Sequence, residues 1–203
     1  MADTPLVSVI VATYNRHDPL LRCLESIRAQ EHPNIEIIVV SDGPDPLLRN
    51  RLEAEEGIRY FAAGRNWHSL SGVSWGTEPR TLGAYAARGD YLCYVDDDDT
   101  ITPDHVSGLV KALHGTEYWF AIGQYLYPDG RVVGEGKVEP SQVGTGMILF
   151  RPECLCTSVM RPGSYLGDFE WILRMAQAGL TGIFVQKPTY LVGHALEELG
   201  TAV

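Results

Sequence analysis

Val7 to Ala12 is a run of apolar, largely β-branched residues too short for a helix, and Ile35 to Val40 repeats it; each is followed by an Asp-Pro pair, Asp18-Pro19 and Asp45-Pro46. A strand that is almost continuously apolar is buried on both faces. Asp before Pro supplies a helix N-cap and a first-turn residue that needs no N–H donor. Strands and helices in that alternation build a parallel sheet covered on both sides.

The alternation continues along the chain. Leu20, Leu21, Leu24 and Ile27 recur at helical spacing as far as about Ala29, and Ile58 to Ala62 gives a third short strand, so the order is βαβαβ. Pro79 to Ala87 reads as a helix ended by Gly89, Tyr91 to Val95 as a strand, and Thr102-Pro103 as the cap of a helix running to His114. The second half changes character. Glu117 to Tyr127 is rich in aromatic and β-branched residues, Pro128-Asp129-Gly130 is a turn, and Arg131 to Val133 returns as a hairpin partner. A strand at Met147 to Phe150, a helix at about Phe169 to Ala178 and a strand at Gly182 to Val185 follow. No repeat or linker divides the 203 residues, so the expectation is a single α/β domain whose sheet is mostly parallel in its first half and mixed in its second.

Composition narrows the function. With 26 acidic against 16 basic residues the net charge is -10 and no basic stripe is present, which argues against a partner bound through its phosphate backbone, such as nucleic acid. The apolar runs are far shorter than a bilayer crossing, so no transmembrane segment is expected. Asp3 stands where a signal peptide needs positive charge, and the expected location is cytoplasmic. Cys23, Cys93, Cys154 and Cys156 are expected to be reduced; Cys154 and Cys156 form a C-x-C pair without a matching second pair, a weak basis for a soft-metal site.

In an open parallel sheet the ligand crevice lies beyond the carboxyl ends of the strands. Thr13-Tyr14-Asn15-Arg16, Ser41-Asp42-Gly43 and Asp96-Asp97-Asp98-Asp99 each follow a strand, so three polar clusters share one edge. Adjacent carboxylates repel, at a cost of a few kcal/mol for each close pair at an effective dielectric near ~20, unless something neutralises them. A divalent cation with hard oxygen ligands, Mg²⁺ or Mn²⁺, does so and keeps positions open for substrate phosphates. The bland alternative is a solvated turn whose acids favour the following helix N-terminus.

Other residues carry paired readings of the same kind. Asp42 before Gly either shapes a turn or hydrogen-bonds a base edge. Arg80 near a helix start works against the dipole, which favours anion binding over a surface role. Asp168 is a helix N-cap or a general base that takes the proton of an acceptor hydroxyl, with Glu170 as the fallback base. His194 is structural or completes a metal shell.

Together, Val7-Ser8-Val9-Ile10-Val11-Ala12-Thr13-Tyr14-Asn15-Arg16, Ile37 to Gly43, Ala87-Arg88-Gly89-Asp90-Tyr91, Val95 to Asp99 and Pro103-Asp104 resemble the family 2 glycosyltransferases of GT-A fold. Gly144-Thr145-Gly146-Met147 and Asp168-Phe169-Glu170-Trp171 through Arg174 extend the resemblance from about residue 7 to at least 180. It implies a Rossmann-like nucleotide-diphospho-sugar transferase domain over residues 1–203, with a nucleotide-binding half to about residue 100 and an acceptor-binding half after it. It also implies a metal-dependent, inverting transfer to a hydroxyl of a sugar, lipid-linked or small-molecule acceptor. The leading donor is a UDP-sugar, with dTDP- and GDP-sugars as alternatives, and Mn²⁺ or Mg²⁺ is the cofactor.

By the same resemblance Thr13, Tyr14, Asn15 and Asp42 lie on the nucleoside side, and Arg80 contacts the nucleotide. Asp96-x-Asp98 matches the D-x-D motif, Asp98 binding the metal most directly and Asp96 or Asp97 reaching the ribose or metal waters. Asp168 aligns with the base, and His194 with a late histidine of the metal shell. Several positions depart from the family pattern: Ser41 stands where the first acid of a D-D-G-S signature is usual, Thr81 where Asn is common after Arg80, and Gly167 where Glu is usual before Asp168. The segment from Trp67 to Pro79 is longer than expected, and its Trp67, His68 and Trp75 are candidates to stack on a sugar or to pack on their own domain. A non-catalytic nucleotide-sugar or glycan-binding module and a sugar-phosphate nucleotidyltransferase are the competing readings. The transferred sugar, the acceptor and any homo-oligomer stay open.

Overall fold

The computed structural model describes residues 4–72, 76–161 and 166–193. Strands β1 (Val7–Thr13), β2 (Ile35–Ser41), β3 (Ile58–Ala62) and β4 (Tyr91–Asp96) are connected through helices α1 (His17–Arg28), α2 (Pro46–Glu53), α3 (Trp67–Ser71) and α4 (Thr77–Ala86). They pair in parallel in the spatial order β3-β2-β1-β4, with Val7 opposite both Ile35 and Tyr91. The second half adds β5 (Thr100–Ile101), α5 (His105–Leu113), β6 (Phe120–Leu126), β7 (Val132–Val133), β8 (Ile148–Phe150), α6 (Cys154–Thr157), α7 (Gly167–Gln177) and β9 (Gly182–Leu191). Here β8 runs antiparallel to both β4 and β6, β9 runs parallel to β6, and β7 closes the expected hairpin on β6.

The doubly buried pattern of β1 has a direct structural cause. Val7, Val9 and Val11 point to a core shared with Leu20, Cys23, Leu24 and Ile27 of α1 and Val106 and Leu109 of α5. Ile10, one step out of phase, packs into the opposite core with Ala84 of α4 and Trp171, Ile172 and Met175 of α7. Each face of the sheet therefore has its own helical layer, and the polar ends of β1, β2 and β4 are left at one edge.

Several helix starts differ in detail from the sequence expectation. The N-cap of α1 is Arg16, with Asp18 in the first turn, while Asp45 does cap α2, accepting from Leu48 N at 2.9 Å. Asp104 rather than Thr102 precedes α5, and the Thr102 hydroxyl instead donates to the Asp104 carboxylate at 2.7 Å. Asp168 is not a cap: Leu166 holds that position and Asp168 lies inside the first turn of α7. No helix among the described residues is long and apolar enough to cross a membrane.

Candidate functional site

The three polar clusters meet. The Thr13 hydroxyl donates to Asp97 Oδ2 at 2.7 Å across the β1–β4 pair, and the Asp42 backbone N–H donates to the Thr13 carbonyl at 2.8 Å. Asn15 has a left-handed backbone, φ 54°, and turns the chain so that Tyr14, Asn15 and Arg16 are exposed on the rim. Arg16 reaches back over the Asp run, 3.3 Å from Asp97 and 2.7 Å from Asp98.

The four aspartates diverge into four environments. Asp96 ends β4 and forms an ion pair with Arg80 of α4. Asp97 is buried, which pushes its carboxyl up to about 6 although Thr13 and Arg16 pull the other way. Asp98 lines a cavity of about 590 Å³ with Arg22, Thr100, Tyr127, Leu191 and Val192. Asp99 is buried and accepts from Gly193 N at 2.6 Å.

A second cavity, about 320 Å³, lies beyond the β4 end and is walled by Asp96, Asp99, Arg80, Tyr125, Thr145 and Asp168 among others. Asp168 accepts from Thr145 N at 3.0 Å. Burial raises its carboxyl above the usual range, the nearby Arg80 charge and the Thr145 bond lower it, and Asp96 adds to the rise. A carboxyl with a raised affinity for protons, facing open space, suits proton abstraction. Glu170 sits two residues further along α7 and does not line this cavity. Arg80 is therefore the link between the two acids: it pairs with Asp96, and both carboxylates hold its guanidinium protonated.

Asp42 is buried and occupied. It accepts from Trp67 N at 3.0 Å, His68 N at 3.4 Å and Asn66 Nδ2 at 3.1 Å, which ties the start of α3 to the end of β2. Trp67 and His68 are exposed on that short helix. Trp75 and His194 lie outside the described residues.

The donor chemistry of the strand edge is carboxylate oxygen, which suits Mg²⁺ or Mn²⁺. Among the described residues no three His, Cys, Asp or Glu side chains converge on one point. A cation held by the described residues would therefore take one or two of these carboxylates and leave positions for water and substrate oxygens. Sequence reasoning overlooked Tyr125 and Tyr190, whose hydroxyls accept from Gly146 N at 3.0 Å and Asp96 N at 2.9 Å. Both read as ordinary strand residues, and the only available signal was the Gly144-x-Gly146 spacing that faces them.

Comparison with known proteins agrees with this geometry. Residues 8–154 match the family described as Glycosyl transferase family 2. The putative glycosyltransferase EpsH of Bacillus subtilis (strain 168) is 35% identical over 111 residues, which is 54% of this chain and 30% of that protein. The crystal structure of S. aureus TarS 1-349 in complex with UDP-GlcNAc superposes with a TM-score of 0.72 at 17% identity, over 92% of this chain and 58% of that one. Mannosyltransferase PcManGT from Pyrobaculum calidifontis, in complex with GDP-Man and Mn2+, gives a TM-score of 0.76 at 18% identity, over 95% of this chain and 58% of that one. The chain thus spans less than two thirds of each of these relatives.

Proposed function

Because the chain belongs to glycosyl transferase family 2, we propose that it carries the donor site and the base of an inverting transfer of a sugar from a nucleotide diphosphate to an acceptor hydroxyl. The observation that carries this reading is the convergence of Asp96, Arg80 and Asp168 on one cavity at the carboxyl edge of the sheet. A module that only binds needs no proton acceptor there.

Thr13, Asp42 and the exposed Tyr14 and Asn15 form the nucleoside side, and Arg80 with the Asp run the diphosphate side. Asp98, with Asp96, would hold a Mn²⁺ or Mg²⁺ ion, whose positive charge offsets the charge that develops on a departing diphosphate. Asp168 accepts the proton of the acceptor hydroxyl as the new bond to the anomeric carbon forms and the bond to the diphosphate oxygen breaks on the opposite face. Its raised proton affinity matches the base to that step, and the fixed Arg80 charge limits the rise. UDP is the favoured nucleotide, and the solved structures with UDP-GlcNAc and with GDP-Man and Mn2+ support a nucleotide-sugar donor with a divalent ion.

Calorimetric titration with UDP, dTDP and GDP, each with Mn²⁺ and with EDTA, tests the donor side on wild type and Asp98→Asn. Metal-dependent binding of one nucleotide, weakened in the variant, is the expected result. Binding that is equal in EDTA and in Asp98→Asn would overturn the metal role of the Asp run. Donor turnover that survives unchanged in Asp168→Asn would overturn the base.

A further inference from the structure

Two tyrosines, Tyr190 buried and Tyr125 partly buried on the wall of the second cavity, lie between the Asp run and Asp168. Tyr190 comes from β9 and Tyr125 from β6; their rings stand 4.7 Å apart, tilted by 45°, and the two residues are register partners. They reach that position through an irregularity. From Ile122 to Tyr125 the β6 strand advances three residues while β9 advances six, from Phe184 to Tyr190, past Pro188. Bulges of this kind re-aim a side chain beside a site.

Each hydroxyl accepts from a backbone N–H on a different side. Tyr190 takes the N–H of Asp96, the first residue of the Asp run, and Tyr125 takes that of Gly146. The residue before Gly146 is Thr145, whose own N–H donates to the Asp168 carboxylate. The glycines make room for this: a Cβ on Gly144 would lie 2.4 Å from the Tyr125 hydroxyl oxygen, and one on Gly146 would lie 2.2 Å from the Tyr190 ring. A set of contacts thus runs from the Asp96 backbone through two tilted phenol rings to Gly146, next in the chain to Thr145, whose amide orients Asp168.

We propose that Tyr125 and Tyr190 are positioning residues that fix the base Asp168 relative to the Asp96 end of the donor site. This rests on the reading of Asp168 as the base. A phenol at the end of a stiff ring holds its acceptor oxygen with two torsions only, so it sets a backbone amide more firmly than a flexible side chain would. Neither hydroxyl needs to touch substrate for this.

The test uses Tyr125→Phe and Tyr190→Phe, which keep the rings and remove one acceptor each, with thermal unfolding to show that both remain folded. Amide hydrogen exchange and the titration of the ¹³C-labelled Asp168 carboxyl are measured by NMR. The groups that face Asp168 are Arg80 from α4, Asp96 from β4 and the Thr145 amide; Tyr125→Phe loosens the Gly146 amide next to Thr145, and Tyr190→Phe loosens the Asp96 amide. In Tyr125→Phe the Thr145 and Gly146 amides should exchange at least about tenfold faster, and the Asp168 titration should move up by about half a unit as its amide donor loosens. In Tyr190→Phe the Asp96 amide should exchange about tenfold faster. Faster exchange with an unmoved Asp168 titration would leave the hydroxyls as structural bonds and overturn the proposal, as would unchanged exchange. These readouts need no turnover, so their failure is distinct from that of the base itself, which Asp168→Asn reports through donor turnover.

Discussion

Arg80 forms an ion pair with Asp96 while its charge also bears on Asp168, so one guanidinium balances two carboxylates of the same cavity. Its side chain is only 14% exposed, and helix α4 delivers it from beside β1 and β2. Removing the cation would leave both acids partly buried and uncompensated. Arg80→Met should cost about 2 kcal/mol of stability, less than a fully buried pair because Asp96 retains some solvent, and it should raise the Asp168 carboxyl further. Urea unfolding and an Asp168 titration check this. Arg80→Lys should recover part of the stability, since it restores the charge without the planar fork.

Gly146 and Gly108 make a contrasting pair. Alanine at Gly146 pushes its Cβ into the Tyr190 ring, whereas alanine at Gly108, inside α5, meets nothing within 4 Å. Gly146→Ala should destabilise by about 1–3 kcal/mol through overpacking. Gly108→Ala should stabilise by up to about 1 kcal/mol through helix propensity. Denaturant midpoints of the two variants should therefore move in opposite directions.

What the sequence revealed follows from where the physics is local. Strands buried on both faces announce themselves as apolar runs, so β1, β2 and β4 and the polar residues after them could be located from composition and order alone. Helix α3 could not: Trp67–Ser71 is a single turn, capped by Asn66 and held by Asp42 from 25 residues away. Strand β9 outran its expected end at Val185 because Gln186, Lys187 and Pro188 break the apolar pattern where the strand bulges. Asp168 was legible as a candidate, but its place against Arg80 and Thr145 depends on contacts across 88 and 23 residues that no local pattern encodes.

His105 should make the protein acid-sensitive. It is 1% exposed, its Nδ1 bonds the Thr189 hydroxyl, and burial pushes its pKa down to about 4 from 6.5. Between those values the unfolded chain binds a proton that the folded one does not, so stability falls as pH drops through that window. The full effect is about 3 kcal/mol at 1.36 kcal/mol per unit. Asp97 opposes it, since a carboxyl raised to about 6 favours the folded state as pH falls from 6 towards 3.8. Relative to His105→Gln, wild type should lose stability steadily from pH 6.5 to pH 4 in urea titrations. A constant difference would show that the histidine titrates normally.

Asp42 holds the start of α3 and is proposed to read a nucleobase, and measuring stability and UDP binding on the same variants separates the two. As a clamp it uses both carboxylate oxygens, Oδ1 for the Trp67 amide and Oδ2 for the His68 amide and Asn66 Nδ2, and the amide of Asn keeps only one of them. As the carboxylate that reads a nucleobase it needs both acceptors, because an amide nitrogen would face the base N–H with another donor. Asp42→Asn should therefore cost about 1 kcal/mol of stability, because its amide nitrogen meets one of the clamp's own donors, and should separately weaken UDP binding about tenfold, the loss expected for one charge-assisted hydrogen bond. Asp42→Ala should lose both, with about 1–2 kcal/mol of stability gone because the buried amides are left unpaired. If Asp42→Asn binds UDP as tightly as wild type, Asp42 belongs to the clamp alone, and base recognition falls to Thr13 and the Tyr14-Asn15 rim.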